Sequence, residues 1–331
     1  MSTLVEPMRR GAVLLSLLLA AGCSSDTPPP EEGPPKPWAT GVYIAAEPYE
    51  EGDPDKGWEA LTEGAAMSCG LPWSLWSHDL AGPLAQDMLV GSAEVAPLPG
   101  RTGHNEDLPH ILTAFTTTEG IDVVNVNCLQ CHGGFFNGEL VVGLGNATAD
   151  FTGGPEVERV DDEGPSGGFD DALLLSLGLT EAEVAEFQKL AGRFASLAPD
   201  IRMRTVGQNP AEILAVRLML HHDVDTLAWS DEPLGDAVIY DADGGVIEDP
   251  LVTSDPPPWW RASKKHALFY NGMARGDHRG TMTLASSTCV DTLEEAAKVD
   301  ALFVDMQAYI RTVRAPPYPF EIDQALAEEG A

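Results

Sequence analysis

Apolar residues recur at three- and four-residue spacing along residues 180–197, where Val184, Phe187, Leu190, Ala191 and Phe194 share one helix face. Thr180 followed by Glu183 gives that helix a capping-box start. A second helix is expected at Asn209-Pro210-Ala211-Glu212, with a cap residue, proline in the first turn and an early acid, running through Ile213, Val216 and Leu220 to His221 or His222. A third should start after Trp260. A fourth should start at Asp291 with Glu294 as its box partner, bury Val299, Leu302, Phe303, Met306 and Ile310, and stop before Pro316-Pro317. Elsewhere the period fades. Residues 38–109 mix Gly, Pro and aromatics and read as short helices joined by loops, and residues 139–154 read as loop or short strand. The expected fold is mainly α with long irregular loops.

One apolar run differs in kind. Arg9 and Arg10 precede Gly11 to Ala21, which is too short to span a bilayer but suits a signal-peptide core. It ends Leu19-Ala20-Ala21-Gly22-Cys23, which resembles a bacterial lipobox, so Cys23 is expected to carry lipid as the first mature residue. The Pro- and Ser-rich residues that follow read as a tether. This divides the chain into a signal at 1–22, a tether at 23–40 and the main folded region at 41–331. The destination is the cell envelope, with the protein facing the periplasm. Ser24 after Cys23 leans toward the outer membrane.

Composition narrows the classes of partner. A formal charge of −33 excludes nucleic acid, whereas 44% hydrophobic content supplies a real core beneath an acidic surface. The chain has five cysteines. With Cys23 assigned to lipid, Cys128-Leu129-Gln130-Cys131-His132 forms CxxCH: two thiols spaced to add to the haem vinyl groups and an adjacent imidazole for iron. The chain's own Cys and His content would give roughly 0.002 such matches by chance, so coincidence is a poor competitor. A zinc ribbon would need a second pair of ligands at matching spacing, and Cys69 and Cys289 stand alone. Those two form either a disulfide, suited to an oxidising compartment, or two buried thiols.

Six stretches, NCLQCHGG, FNGELVVGLGN, RTVGQNP, LHHDVDTLAW, PPWWRASKKHALFYNGMARGDHRGTM and AYIRTVRAPPYPF, together resemble the di-haem cytochrome c peroxidase superfamily. Its relatives include methylamine-dehydrogenase maturation enzymes and rubber oxygenases. The resemblance covers about residues 120–325 and implies thioether bonds at Cys128 and Cys131, with His132 as proximal ligand. Such proteins carry two CxxCH motifs, one haem reacting with peroxide or oxygen and one relaying electrons. These 331 residues hold one. The chain is then a mono-haem relative, a shortened chain or half of a split pair, and peroxidase activity of the usual kind would need a relay from elsewhere.

The far side of the iron decides the chemistry, because a second strong ligand makes an electron carrier and an open position admits peroxide or oxygen. The distal candidates are His222, His266, His278, Met273 and Met282, with Met203 also considered; each has an alternative role in hydrogen bonding or core packing. Arg261, Arg275 and Arg279 lie in the basic segment 261–279 and are candidates to meet haem propionates, or else they form ordinary ion pairs. Trp259 and Trp260 wall the haem or pack as core aromatics. The expected partner is a redox protein, either a small cationic cytochrome or a second haem protein, and the membrane contact runs through the lipid anchor. Three functions follow in order: electron transfer with one haem c, peroxide or oxygen chemistry with an external donor, and a binding or assembly lipoprotein with structural haem.

Overall fold

Helix-period stripes and short apolar runs are both present in the computed structural model, and the short runs form sheets. The structure describes residues 48–91, 93–152, 169–198, 201, 203–236, 239–240, 246–247 and 254–330. The chain divides into Met1–Ile44 and Ala45–Ala331, and all described residues belong to the second unit. The expected signal, Cys23 and the tether lie outside the described residues.

In chain order the elements are α1 (Pro54–Glu63), β1 (Leu71–Pro72), α2 (Trp73–Trp76), α3 (Gly82–Val90), β2 (Leu112–Thr116), β3 (Asp122–Val126), α4 (Leu129–His132), β4 (Gly133–Phe136) and β5 (Glu139–Val142). They continue with α5 (Asp171–Ser176), α6 (Glu181–Leu197), α7 (Ala211–His221), β6 (Ile239–Tyr240), β7 (Val246–Ile247), β8 (Ala267–Leu268), β9 (Ala274–Arg275), α8 (Arg279–Ala285), α9 (Leu293–Thr312) and α10 (Gln324–Gly330). With 43% helix and 12% strand in several small sheets, the fold is mixed α/β, which corrects the mainly α expectation. The largest sheet is antiparallel in the order β1-β3-β2, with Val124 facing both Leu71 and Ala114. It escapes a periodicity search because Val123, Val124 and Asn125 are buried in succession, which erases the alternation of a one-sided strand. Among the described helices none is long and apolar enough to cross a membrane.

Two large apolar clusters and a small one around Met203 and Ile213 lie in the unit. The first joins the sheet residues Leu71, Leu112 and Val124 to Phe187 and Leu190 of α6 and to Leu75 and Trp76 of α2. The α6 stripe sends Val184, Phe187, Leu190 and Ala191 inward, and its capping box is complete. The second cluster gathers Leu61 of α1, Val299, Phe303 and Met306 of α9, and Leu129 and Trp259. Helix α9 starts two residues later than Asp291 because Thr292, not Asp291, is its cap: Thr292 Oγ1 accepts from Glu295 N at 3.2 Å, and Asp291 N donates to the Glu295 carboxylate at 2.7 Å. The helix expected after Trp260 is a 3-10 turn, Trp259–Lys264.

Polar groups brace the first cluster. Arg101, buried, donates to the Leu112 carbonyl at 2.6 Å and to Asn105 Oδ1 at 2.9 Å, and Asn105 bonds both the N–H and the carbonyl of Ala114. Cys69 and Cys289 are joined by a disulfide across 220 residues, with Cα atoms 5.4 Å apart. Asn125 donates to the Cys69 carbonyl at 2.7 Å and Ser68 to the Cys289 carbonyl at 2.8 Å. Arg193 of α6 donates to the Thr288 carbonyl and pairs with Asp291, which Lys189 also meets.

Candidate functional site

Strand β3 delivers the chain directly into CxxCH. Asn127 makes the turn: its Oδ1 accepts from Leu129 N at 2.8 Å, and its Nδ2 donates to the His110 carbonyl at 2.9 Å and to Thr113 Oγ1 at 3.0 Å. The motif then winds into the single helical turn α4, in which His132 N donates to the Cys128 carbonyl at 3.1 Å. Residues three apart share a side of such a turn, so Cys128 and Cys131 lie together while Leu129 drives into the second cluster. Cys128, Cys131 and His132 each remain half-buried.

A glycine-rich hairpin holds the turn in place. Strands β4 and β5 pair through Gly133↔Val142 to Phe136↔Glu139, reversing at Asn137 and Gly138, both in the left-handed region. The return strand closes on the motif: Gly143 N donates to the His132 carbonyl at 2.8 Å, and Asn146 N to the Cys131 carbonyl at 2.9 Å. Trp259 N then donates to the Gly143 carbonyl at 2.8 Å, which brings the Trp259 ring 5.0 Å from the His132 ring. Two glycines are required by contact. A Cβ on Gly145 would lie 1.5 Å from the Pro256 carbonyl oxygen, and one on Gly133 would lie 2.7 Å from the His110 ring.

Electrostatics set the protonation of the three motif side chains. Burial pushes the Cys128 thiol up to about 11, and the neighbouring Cys131 adds to the shift. Burial also raises Cys131, opposed by Asn209, whose Nδ2 donates to the sulfur at 3.2 Å. His132 is pushed down to about 4, first by burial and then by the positive charge of Lys265, against the Pro257 carbonyl, which favours its proton. At neutral pH the site therefore holds two protonated thiols and a neutral imidazole, the ligating form of histidine. The His132 Nδ1 is buried with no hydrogen-bond partner among the described residues.

These residues fit a covalently attached haem. Two thiols on one side of a turn, neither of them in a disulfide, adjoin a neutral imidazole with an unpartnered nitrogen. Among the described residues no group of three or more His, Cys, Asp and Glu is placed to hold a bare metal ion.

The other candidates are distributed unevenly. Met282 packs against the cluster that contains Leu129 and Trp259, as Cys128 does. Met273 and His266 are exposed, Met203 is buried beside Ile213, and His278 is buried at the head of α8 with a left-handed backbone. His222 is buried with Nδ1 2.6 Å from the Leu218 carbonyl and Nε2 3.0 Å from the Val290 carbonyl, which leaves neither nitrogen available to iron and removes it from the distal set. Arg279 is likewise removed from the propionate candidates, because Asp277, Asp300 and Glu50 meet its guanidinium at 3.1, 3.2 and 3.3 Å. Arg261 and Arg275 are exposed and Trp260 is half-buried.

Asn209 and Lys265 were not singled out for this site in the sequence. Asn209 reads as a helix cap, but the cap of α7 is Pro210, which has no side-chain bond to the helix; Asn209 Oδ1 accepts from Ala211 N at 2.8 Å from one residue earlier, and the contact of its amide nitrogen with Cys131 has no local signature. Lys265 is one cation in a basic segment, and only the fold brings its charge to His132. No family model, curated protein or solved structure matches the chain, so the class of protein has to be argued from these residues.

Proposed function

We propose that the chain is a c-type cytochrome with one covalent haem, an electron carrier of the bacterial cell envelope anchored through lipid at Cys23. In family terms it would be a mono-haem relative of the di-haem cytochrome c peroxidase superfamily. The observation that carries this reading is the CxxCH turn, with Cys128, Cys131 and His132 half-buried on one short segment and the imidazole neutral. When bound, the haem supplies a one-electron iron couple. Each thiol would add across one vinyl group, with a sulfur–carbon bond formed, the thiol proton passed to the neighbouring carbon, and no oxidant consumed. His132 would offer an imidazole lone pair, with Trp259 fixing the ring from one side. Asn209 steadies the Cys131 sulfur, and Leu129, Phe303 and Met306 keep water from the inner side of the turn.

Met282 is the distal candidate favoured by its packing in the same cluster as Cys128, and a thioether there favours a carrier over a peroxide- or oxygen-reactive site. The test is Cys128→Ala expressed with a haem-attachment system. Haem-stained protein on a denaturing gel should fall sharply, and unchanged staining would contradict the covalent assignment.

A further inference from the structure

Helices α2 and α3 and the loop over residues 103–109 enclose a cleft of about 590 Å³, whose lining includes Trp73, Trp76, Asp87, His104, Asp107 and Leu108. That volume lies in the range of about 300–1,000 Å³ usual for small-molecule sites. Both walls are set before any ligand arrives. On the helical side Gln86 Nε2 donates to the Trp76 carbonyl at 3.1 Å, and Gly82 lies so close that a Cβ there would stand 2.7 Å from the same carbonyl oxygen. On the loop side the buried Arg101 donates to the Leu108 and Pro109 carbonyls at 3.4 and 3.2 Å. His104 stacks on Trp73, with ring centroids 3.9 Å apart and planes inclined by 22°, which fixes the indole. A ligand entering here therefore orders little of the protein.

Charge selects the ligand. Residues 73–91 and 102–109 contain no Lys or Arg but include Asp79, Asp87, Glu106 and Asp107. Asp87 and Asp107 line the cleft, both are exposed, and among the described residues neither forms an ion pair. Arg101 is the one Lys or Arg between residues 73 and 109, but it is turned onto backbone carbonyls behind the loop, and Glu63 opposes its charge. An anion would meet two carboxylates with no cation to receive it. A bare metal ion would find too few ligands, since among the described residues no group of three or more His, Cys, Asp and Glu is placed to hold one. Indole rings cover alkyl groups and attract cations through their π-faces. Two carboxylates beside two indoles thus suit a cation whose charge is wrapped in apolar groups.

We propose that this cleft binds a small quaternary ammonium compound, with Trp73 and Trp76 against its alkyl groups and Asp87 and Asp107 facing its charge. Recognition is non-covalent and stands apart from the haem reading, because none of these residues belongs to the CxxCH turn or its hairpin.

The test uses the full chain, with choline as the probe and dimethylbutanol, its uncharged carbon analogue, for comparison. Both are titrated by calorimetry at about 10 mM ionic strength, where screening is weak. Choline should bind at least about tenfold more tightly than the alcohol. Asp87→Asn with Asp107→Asn should weaken choline about fivefold and leave the alcohol within about twofold. Trp73→Leu should weaken choline about tenfold, and Trp73→Phe should recover most of that loss. The paired aspartate variant leaves the interior untouched, so it reads the charge even where Trp73→Leu fails to fold. A control, Glu321→Gln with Asp323→Asn, removes the same charge from exposed residues outside the cleft and should change affinity less than about twofold. Absence of choline binding overturns the proposal, and so does equal affinity for choline and the alcohol. Indifference to the paired aspartate variant, or an equal loss in the control, overturns it as well.

Discussion

The molecule uses its cysteines in two opposite ways. Cys69 and Cys289 are joined across 220 residues, fully buried, with both carbonyls bonded by side chains from elsewhere in the chain. Cys128 and Cys131 sit three residues apart, unjoined and half-buried, on a turn held by a glycine-rich hairpin. The first pair and its surroundings consume their polar capacity internally: Arg101, Asn105, Asn125 and Arg193 tie distant backbone segments together. The second pair keeps its chemistry unspent, with protonated thiols and a histidine nitrogen without a partner.

The largest test of this contrast removes the brace. Cys69→Ser with Cys289→Ser opens a 220-residue loop, for which chain entropy alone gives a loss of roughly 5 kcal/mol. Urea unfolding should register it, and the paired change Cys128→Ser with Cys131→Ser in the haem-free chain should cost far less. Equal losses would dissolve the distinction.

The next effect depends on pH. Folded His132 protonates only near 4, whereas an unfolded histidine does so near 6.5. Between these values the unfolded state takes up the proton and the folded state does not, so the haem-free chain loses up to about 3 kcal/mol as pH falls from 6.5 to 4. Above 6.5 this contribution is flat. Urea midpoints at several pH values should show that slope, and His132→Gln should remove it.

A smaller loss is expected within the brace itself. Asn105→Ala leaves the Ala114 N–H and part of Arg101 unpaired in the interior, at a cost of about 2 kcal/mol, measurable by thermal unfolding. The smallest change is at the motif. Asn209→Asp keeps an oxygen to accept from Ala211 N but replaces the amide N–H donated to Cys131 with a carboxylate oxygen, so alkylation of that thiol in the haem-free chain should slow by about fivefold.

Legibility in the sequence followed the range of the interactions. CxxCH and the stripe and capping box of α6 are local patterns, and each corresponds to a recognisable element. Helix α9 was legible in its buried face, but its start was misplaced because Asp291 and Thr292 are both competent caps and the choice depends on Glu295 and on the pairing of Asp291 with Arg193. Apart from the short strand allowed at residues 139–154, where β5 lies, the strands were missed because they run two to five residues, too few for a period to emerge, and because the central strand β3 is covered on both faces. Glycines 133 and 134 begin strand β4, although glycine carries no strand signal of its own. The occupation of His222 by two carbonyls and of Arg279 by three carboxylates depends on segments up to 229 residues away for Arg279, so neither could be seen locally.

The central claim is that this turn carries one haem with both axial positions filled. Absorption spectra of the ferric and reduced protein, together with a pyridine haemochrome count, test it most directly. The account expects one haem per chain and a low-spin spectrum that cyanide, carbon monoxide and peroxide leave unchanged. A high-spin ferric spectrum that shifts with peroxide would contradict the carrier, and a chain without haem would contradict the site.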